Sequence, residues 1–174
     1  SLGLECFPDI EAVQAAGIRP DHIIAMGSLP NVLKLERKDA RTDGYLKPDA
    51  DRVDYWRKTL KRVANGRPII TLAWKGGLPQ THKELRNPPR ELFKTIDPAK
   101  YCLVSIQYTQ YNGTPQENFN KMKATEAAAQ ELGAFHYQPA IDDIDEQAAV
   151  IAASDCLVTV AQTAMHLAGG TSTP

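Results

Sequence analysis

Apolar positions follow two alternating patterns along most of the chain. Between residues 49 and 64, four side chains have the three-to-four-residue spacing of one helix face: Val53, Trp56, Leu60 and Val63. Asn65-Gly66 then forms a helix stop, and Ile69–Trp74 is an unbroken apolar run with the length of a buried strand. The order predicts a helix followed by a strand covered on both faces.

The same alternation continues to the end of the chain. Short apolar runs predict three further strands: Tyr101–Gln107, Ala134–Tyr137 and Cys156–Val160. Local start and stop signals predict four further helices. One runs from Asn87-Pro88, a cap and first-position pair, to about Ile96, and one runs from a Thr114–Glu117 capping box to Leu132-Gly133. A third lies at Glu146–Ala153, capped by Asp145, and the last begins at about Thr163. Strands and helices in this succession form right-handed βαβ units. We therefore predict an α/β fold, a Rossmann-like parallel sheet with flanking helices, and expect one more strand beyond Pro174.

The first 48 residues have a less regular pattern. A short helix is predicted at Pro8–Ala16, ended by Gly17, and a short strand at Ile23–Met26, before the charged stretch Lys34–Lys47. We interpret residues 1–48 as an irregular segment, a remnant of a preceding lobe or a linker. Residues 49–174 are interpreted as the Rossmann-like lobe.

Composition narrows the class of protein. Among 174 residues, 20 basic and 21 acidic side chains give a net charge of −1, which argues against a basic nucleic-acid surface. No apolar run approaches the length of a membrane span, and the first residues lack the pattern of a signal peptide. Cys6, Cys102 and Cys156 have neither disulfide-framework nor zinc-site spacing. We expect a cytoplasmic protein without a bound metal.

The loop after the last predicted strand is the first candidate site. Ligands of open parallel sheets bind beyond the carboxyl ends of the strands, and here small residues lead directly into a helix. The unpaired N–H groups and dipole of a helix start favour an anion such as phosphate. Gln162 and Thr163 offer polar groups there, and His166 lies one turn on. The residues alone favour the other interpretation, in which Gln162 and Thr163 simply cap the helix and His166 is a core histidine.

Other charged positions have two interpretations each. Lys75 ends a strand beside Gly76-Gly77, where it is either a phosphate ligand or a solvated turn residue. Arg86 is either a phosphate clamp or an ordinary surface arginine. The acidic cluster at Asp142, Asp143 and Asp145 has a metal-binding spacing, but its place before an apolar helix favours capping.

Four segments, taken in order, carry a family resemblance. The segments are I-I-T-L-A-W-K-G at 69–76, L-V-S-I-Q at 103–107, the acidic turn and Ala-rich helix at 142–155, and T-A-M-H-L-A-G-G at 163–170. Together they resemble the C-terminal lobe of GT-B glycosyltransferases, above all the family-nine (heptosyltransferase-like) enzymes. They are also similar to the glycosyltransferase-like tails of bacterial tetratricopeptide proteins. The likeness covers about residues 50–174.

This resemblance implies a nucleotide-diphosphate sugar as substrate, with no separate cofactor. Gln162, Thr163, Ala164 and His166 would then face the diphosphate. Gly76 would keep the first turn open, and Gln107 would lie near the ribose or base. Lys75 and Gly77 complete the predicted donor-binding set. The general base belongs to the other lobe of such enzymes, so the catalytic residues stay unknown and this chain alone is expected to be inactive.

The resemblance also implies partners and leaves an alternative. The expected partners are an N-terminal acceptor lobe or a tetratricopeptide region, and a second copy through the exposed sheet edge. Many relatives have Asp before the Thr, where this chain has Gln162 preceded by Ala161. That departure favours a non-catalytic nucleotide-binding or interaction module as the alternative function. A dinucleotide-binding domain is less favoured, because G-x-G-x-x-G is missing.

Overall fold

Four parallel strands form one sheet in the computed structural model, which describes residues 5, 7–25, 28–39, 43–77, 85 and 87–174. The strands are β1 (Ile69–Ala73), β2 (Cys102–Ser105), β3 (Ala134–His136) and β4 (Cys156–Thr159), in the spatial order β3-β2-β1-β4. In register, Leu72 of β1 lies opposite Ser105 of β2 and Val158 of β4. The predicted Rossmann-like α/β fold is therefore confirmed.

Helices cover both faces of this sheet. On one face, α3 (Ala50–Ala64), α6 (Ile144–Ala152) and α7 (Thr163–Thr171) share a buried cluster with the strands. On the other face, α4 (Pro115–Glu131) and a 3-10 helix (Arg90–Thr95) enclose a second cluster. Burial on both faces explains why β1 reads as a continuous apolar run and not as an alternating one.

Helix α3 shows how local signals set its bounds. The Asp49 side chain caps its start by accepting from the backbone N–H of Arg52 at 2.9 Å. Its end follows the predicted stop, since Asn65 takes a left-handed conformation with φ of 49°. The buried row is Trp56, Leu60 and Ala64. Val63, predicted on this face, is 44% exposed, because contacts with the sheet follow the i, i+4, i+8 row and leave Val63 beside it.

The predicted helix from Asn87 to Ile96 is wrong in its type and its start. The structure has a 3-10 helix, beginning at Arg90, preceded by extended backbone at Pro89. Asn87 and Pro88 each precede a proline, which disfavours the helical conformation at both.

The start of α6 also differs from the prediction. Asp143 caps α6, not Asp145, by accepting from the N–H groups of Asp145 at 2.8 Å and Glu146 at 3.3 Å. A five-residue helix, α5 (Gln138–Asp142), precedes it and was missed. Five residues are too few to show a helical period in sequence.

The chain divides into two compact units, Ser1–Ala40 and Arg41–Pro174. In the first, α1 (Ile10–Ala15) is capped by Asp9, and α2 (Leu29–Val32) follows; neither helix has a buried residue. The strand predicted at Ile23–Met26 is wrong for residues 23–25, which are not paired, and Met26 lies outside the described residues. In the second unit, the N–H of Leu46 donates to the carbonyl of Gly170 at 2.8 Å, so residues 43–48 belong with the sheet.

Candidate functional site

The strand order reverses between β1 and β4, and the loops that follow these two strands lie side by side. The N–H of Val160 donates to the carbonyl of Ala73 at 3.1 Å, which carries the pairing to the carboxyl edge. A Cβ added at Gly76 would lie 2.9 Å from Cβ of Gln162, closer than real side chains approach. Glycine is therefore required at position 76 for the two loops to meet. Ligands of open α/β sheets bind at such a reversal point.

The loop after β1 is held by the buried side chain of Gln107, which follows β2. Its Oε1 accepts from the N–H groups of Trp74 at 3.0 Å and Lys75 at 2.8 Å. Its Nε2 donates to the carbonyls of Lys75 at 2.9 Å and Tyr108 at 3.0 Å. These four bonds use the full capacity of the amide, so Gln107 has no free polar group for a ribose or base.

A second carboxamide holds the next residue of the same loop. Asn87 accepts from the N–H of Gly76 at 3.0 Å and donates to its carbonyl at 3.1 Å. The predicted role of Asn87 as a helix cap is therefore replaced by a cross-link between two loop positions. Lys75 itself is exposed, and no carboxylate of the described part of the chain pairs with it.

Helix α7 starts without a side-chain cap. Gln162 occupies the cap position, but its amide group donates backwards to Oγ1 of Thr159 at 3.1 Å. Thr163 and His166 are exposed, whereas Ala164 is buried. The interpretation of His166 as a core histidine is therefore wrong, and Gln162 does not cap the helix. The first N–H groups of a helix have no partner within it, so this start can accept an anion.

A cleft of about 730 Å³ opens on the other side of the β1 loop. It lies between that loop, the loop after β2, the 3-10 helix and α4. Its lining combines apolar side chains with amide and hydroxyl groups, three cations and one carboxylate. The charged residues are Lys75, Arg90, Lys121 and Glu91, and Trp74, Ala128, Gln110 and Thr125 are among the others. Its size is that of pockets that enclose small-molecule ligands.

The structure thus divides the predicted site residues into two groups. Lys75, Gly77 and Gln107 line the cleft, while four others form the start of α7: Gln162, Thr163, Ala164 and His166. Gly76 lies between the groups, in contact with Gln162. Arg86, the predicted phosphate clamp, lies outside the described residues.

The acidic cluster is used for structure. Asp143 caps α6, and Asp142 accepts from Nε2 of Gln138 at 2.8 Å. The pKa of Tyr111 is raised, first by burial and then by the charge of Asp142. Within the described ranges, no three His, Cys, Asp or Glu side chains come together as a metal site.

One polar chain in this region was missed by sequence reasoning. Oγ of Ser105 lies 3.0 Å from Nδ1 of His136, and Nε2 of His136 lies 3.2 Å from Oε1 of Gln138, which continues to Asp142. Ser105 and His136 are register partners at the carboxyl ends of β2 and β3. The signal was available, because polar residues ending neighbouring parallel strands meet at one edge.

The comparisons with known proteins come out as follows. The chain is similar to Protein FlbA of Caulobacter vibrioides. The identity is 28% over 162 residues, which is 90% of this chain and 25% of FlbA. The chain therefore spans about a quarter of the length of this curated relative. No family model and no solved structure matches it. Within the described ranges, no helix has the length and apolar character of a membrane span.

Proposed function

We propose that this chain is a donor-binding lobe that holds a nucleoside-diphosphate sugar for glycosyl transfer. The observation that carries the proposal is the start of α7, which lies at the strand-order reversal and has no side-chain cap. Its first N–H groups and the helix dipole favour a diphosphate. The resemblance of T-A-M-H-L-A-G-G at 163–170 to GT-B enzymes names the ligand class.

The exposed groups at this helix start have the required chemistry. The hydroxyl of Thr163 and the imidazole of His166 can donate to phosphate oxygens, since both side chains are exposed. Ala161 and Ala164 are small enough to let a phosphate approach the backbone. Charge that develops on the leaving nucleoside diphosphate would be stabilised by these fixed donors as the glycosidic bond breaks.

Lys75 extends this electrostatic role across the β1 loop. Its ammonium group is exposed at the carboxyl end of β1 and is able to neutralise a phosphate. The adjacent 730 Å³ cleft has room for the remainder of a nucleotide sugar. The diphosphate would then lie over the contact between Gly76 and Gln162.

A non-catalytic module is the second candidate function. It is favoured by Ala161 and Gln162, which stand where many of the resembling enzymes have a carboxylate before the threonine. In that case the same site would bind a nucleotide without turnover, within a longer tetratricopeptide protein. These proposals also include an acceptor lobe or tetratricopeptide region as partner, a homo-oligomer through the sheet edge and a cytoplasmic location.

Ligand screening tests the proposal. Thermal shift and calorimetry with UDP, ADP, GDP and NAD should show stabilisation by at least one nucleoside diphosphate and none by NAD, because a ligand that binds only the folded state raises its stability. His166→Ala should weaken that binding by about tenfold, the effect of losing one charge-assisted bond. Met165→Ala is the matched control, since Met165 is the preceding exposed residue of α7.

The outcomes separate the candidates. If no nucleoside diphosphate stabilises the protein, the donor-lobe proposal is overturned. Unchanged affinity in His166→Ala removes this residue from the site. Binding of a nucleotide sugar without release of nucleoside diphosphate, measured in the full-length protein, would favour the non-catalytic module.

A further inference from the structure

The backbone of Trp74–Gly76 leaves the sheet at the end of β1, where it loses the strand-to-strand hydrogen bonds of its neighbours. Three successive N–H groups there are accepted by side-chain amide oxygens, those of Trp74 and Lys75 by Gln107 and that of Gly76 by Asn87. The carbonyls of Lys75 and Gly76 accept from the same two side chains. Buried backbone groups must be paired, so these two amides replace the missing ladder.

Both amides reach the loop from distant parts of the chain. Gln107 follows the neighbouring strand β2, and Asn87 precedes the 3-10 helix. Gln107 is only 3% exposed, and its other contact is the carbonyl of Tyr108 in its own loop. The amides therefore tie the β1 loop to two elements that line the cleft.

We infer that Gln107 and Asn87 are positioning residues that hold the β1 loop in one conformation and so present the Lys75 side chain toward the ligand. The inference rests on the proposed function for the identity of that ligand. Gln107 has no hydrogen-bonding capacity left for a ligand, and Asn87 holds the loop through its two bonds to Gly76 without needing to touch one. Lys75 is the group through which they act, since Gln107 binds its own N–H and carbonyl and Asn87 holds the adjacent Gly76.

The loop-holding role is measured first, in the free protein. Hydrogen exchange followed by NMR should show slow exchange of the Trp74, Lys75 and Gly76 amides. Asn87→Ala should speed exchange at Gly76 by at least about tenfold. Asn112→Ala is the matched control, because Asn112 lines the same cleft but accepts from Lys121 at 2.6 Å and not from the β1 loop. If Asn87→Ala leaves exchange at Gly76 unchanged, the inference is overturned.

If Asn87→Ala does not fold, Asn87→Asp is a milder variant for the same test. Asn87→Asp keeps an acceptor for the N–H of Gly76 but places a second acceptor against its carbonyl. It should accelerate exchange at Gly76 less than the alanine variant does. If the Gly76 amide exchanges as slowly in Asn87→Asp as in the unaltered protein, the two bonds between Asn87 and Gly76 do not hold the loop.

A double-mutant cycle separates positioning from general stability. With UDP as the probe, Lys75→Ala and Asn87→Ala should each weaken binding by about tenfold, and together by little more than either alone. If the two losses of affinity multiply in the double variant, Asn87 does not act through Lys75, and the inference is overturned. If the unaltered protein binds none of UDP, ADP and GDP, the proposed function fails, and the exchange measurement alone decides whether the two amides hold the loop.

Discussion

The two loops that meet at the strand-order reversal are built in opposite ways. The loop after β1 has its backbone groups taken by Gln107 and Asn87. The loop after β4 leads into α7 with no side-chain cap and with Thr163 and His166 exposed. Gly76 and Gln162 bring the two loops into contact.

The difference places satisfied backbone groups in one loop and an uncapped helix start in the loop beside it. A loop whose polar groups are satisfied internally keeps a fixed shape, since each buried bond lost leaves an unpaired group. A helix start without a cap keeps its donors available for a ligand. The β1 loop is then the frame, and under the proposed function the start of α7 is the surface that a ligand would complete.

Removing the frame should give the largest effect on stability. Gln107→Leu deletes four hydrogen bonds and leaves the Trp74 and Lys75 N–H groups without an acceptor. We expect a loss of about 3 kcal/mol in the free energy of unfolding, measured by urea denaturation. Gln110→Leu is the control, because Gln110 is another glutamine of the cleft lining and has no side-chain hydrogen bond to any residue of the described ranges. It should change stability by less than about 0.5 kcal/mol. Equal losses in both variants would refute the frame.

Separating the two loops should give the next largest effect. Gly76→Ala places a Cβ 2.9 Å from Cβ of Gln162, which is bonded to the backbone and cannot swing away. Overpacking of this kind should cost about 2 kcal/mol. In Gly169→Ala the added Cβ meets nothing within 4 Å, and alanine there should be neutral or slightly stabilising within α7. The contact is absent in solution if the two alanine variants unfold at the same urea concentration.

Sequence reasoning succeeded where the signal is local. The capping box of α4 could be predicted because Thr114 and Glu117 are three residues apart and satisfy each other. The parallel fold followed from the succession of apolar patterns, which reports burial on both faces. Those features need only neighbouring residues.

The frame of the β1 loop could not be predicted from the same patterns. Gln107 lies 32 residues from Lys75, and Asn87 lies 11 residues from Gly76, so only the folded sheet brings them together. Asn87 before proline has the signal of a helix cap, and the tertiary contact with Gly76 took precedence. Gly76 was expected to leave room for ligand, whereas the space beside its Cα is occupied by the side chain of Gln162.

Because α4 has a side-chain cap and α7 has none, we expect alanine at the two cap positions to change the free energy of unfolding by different, smaller amounts. Thr114→Ala removes the side chain that caps α4 and should cost about 1 kcal/mol. Gln162→Ala removes only the bond to Thr159 and should cost less than about 0.5 kcal/mol, since Gln162 does not cap α7. Urea denaturation of both variants measures the contrast. A loss in Gln162→Ala as large as that in Thr114→Ala would show that the start of α7 is capped after all.

Acid gives the finest test of the same contrast, because a carboxylate is hydrogen-bonded to the start of α4, whereas the first turn of α7 has no acidic residue. Hydrogen bonds from the backbone and hydroxyl of Thr114 lower the pKa of Glu117 below its ordinary value. A carboxylate whose folded pKa is lowered contributes stability that is fully present above the unfolded pKa and is lost as the pH falls through the folded pKa. The stability difference between the unaltered protein and Glu117→Gln should therefore shrink as the pH is lowered from about 6 to about 3.

Gln162→Ala should show the same small difference at every pH, since no carboxylate takes part at the start of α7. A difference for Glu117→Gln that stays constant with pH would mean that the Glu117 carboxylate does not hold the start of α4, and the contrast between a capped and an open helix start would rest on Thr114 alone.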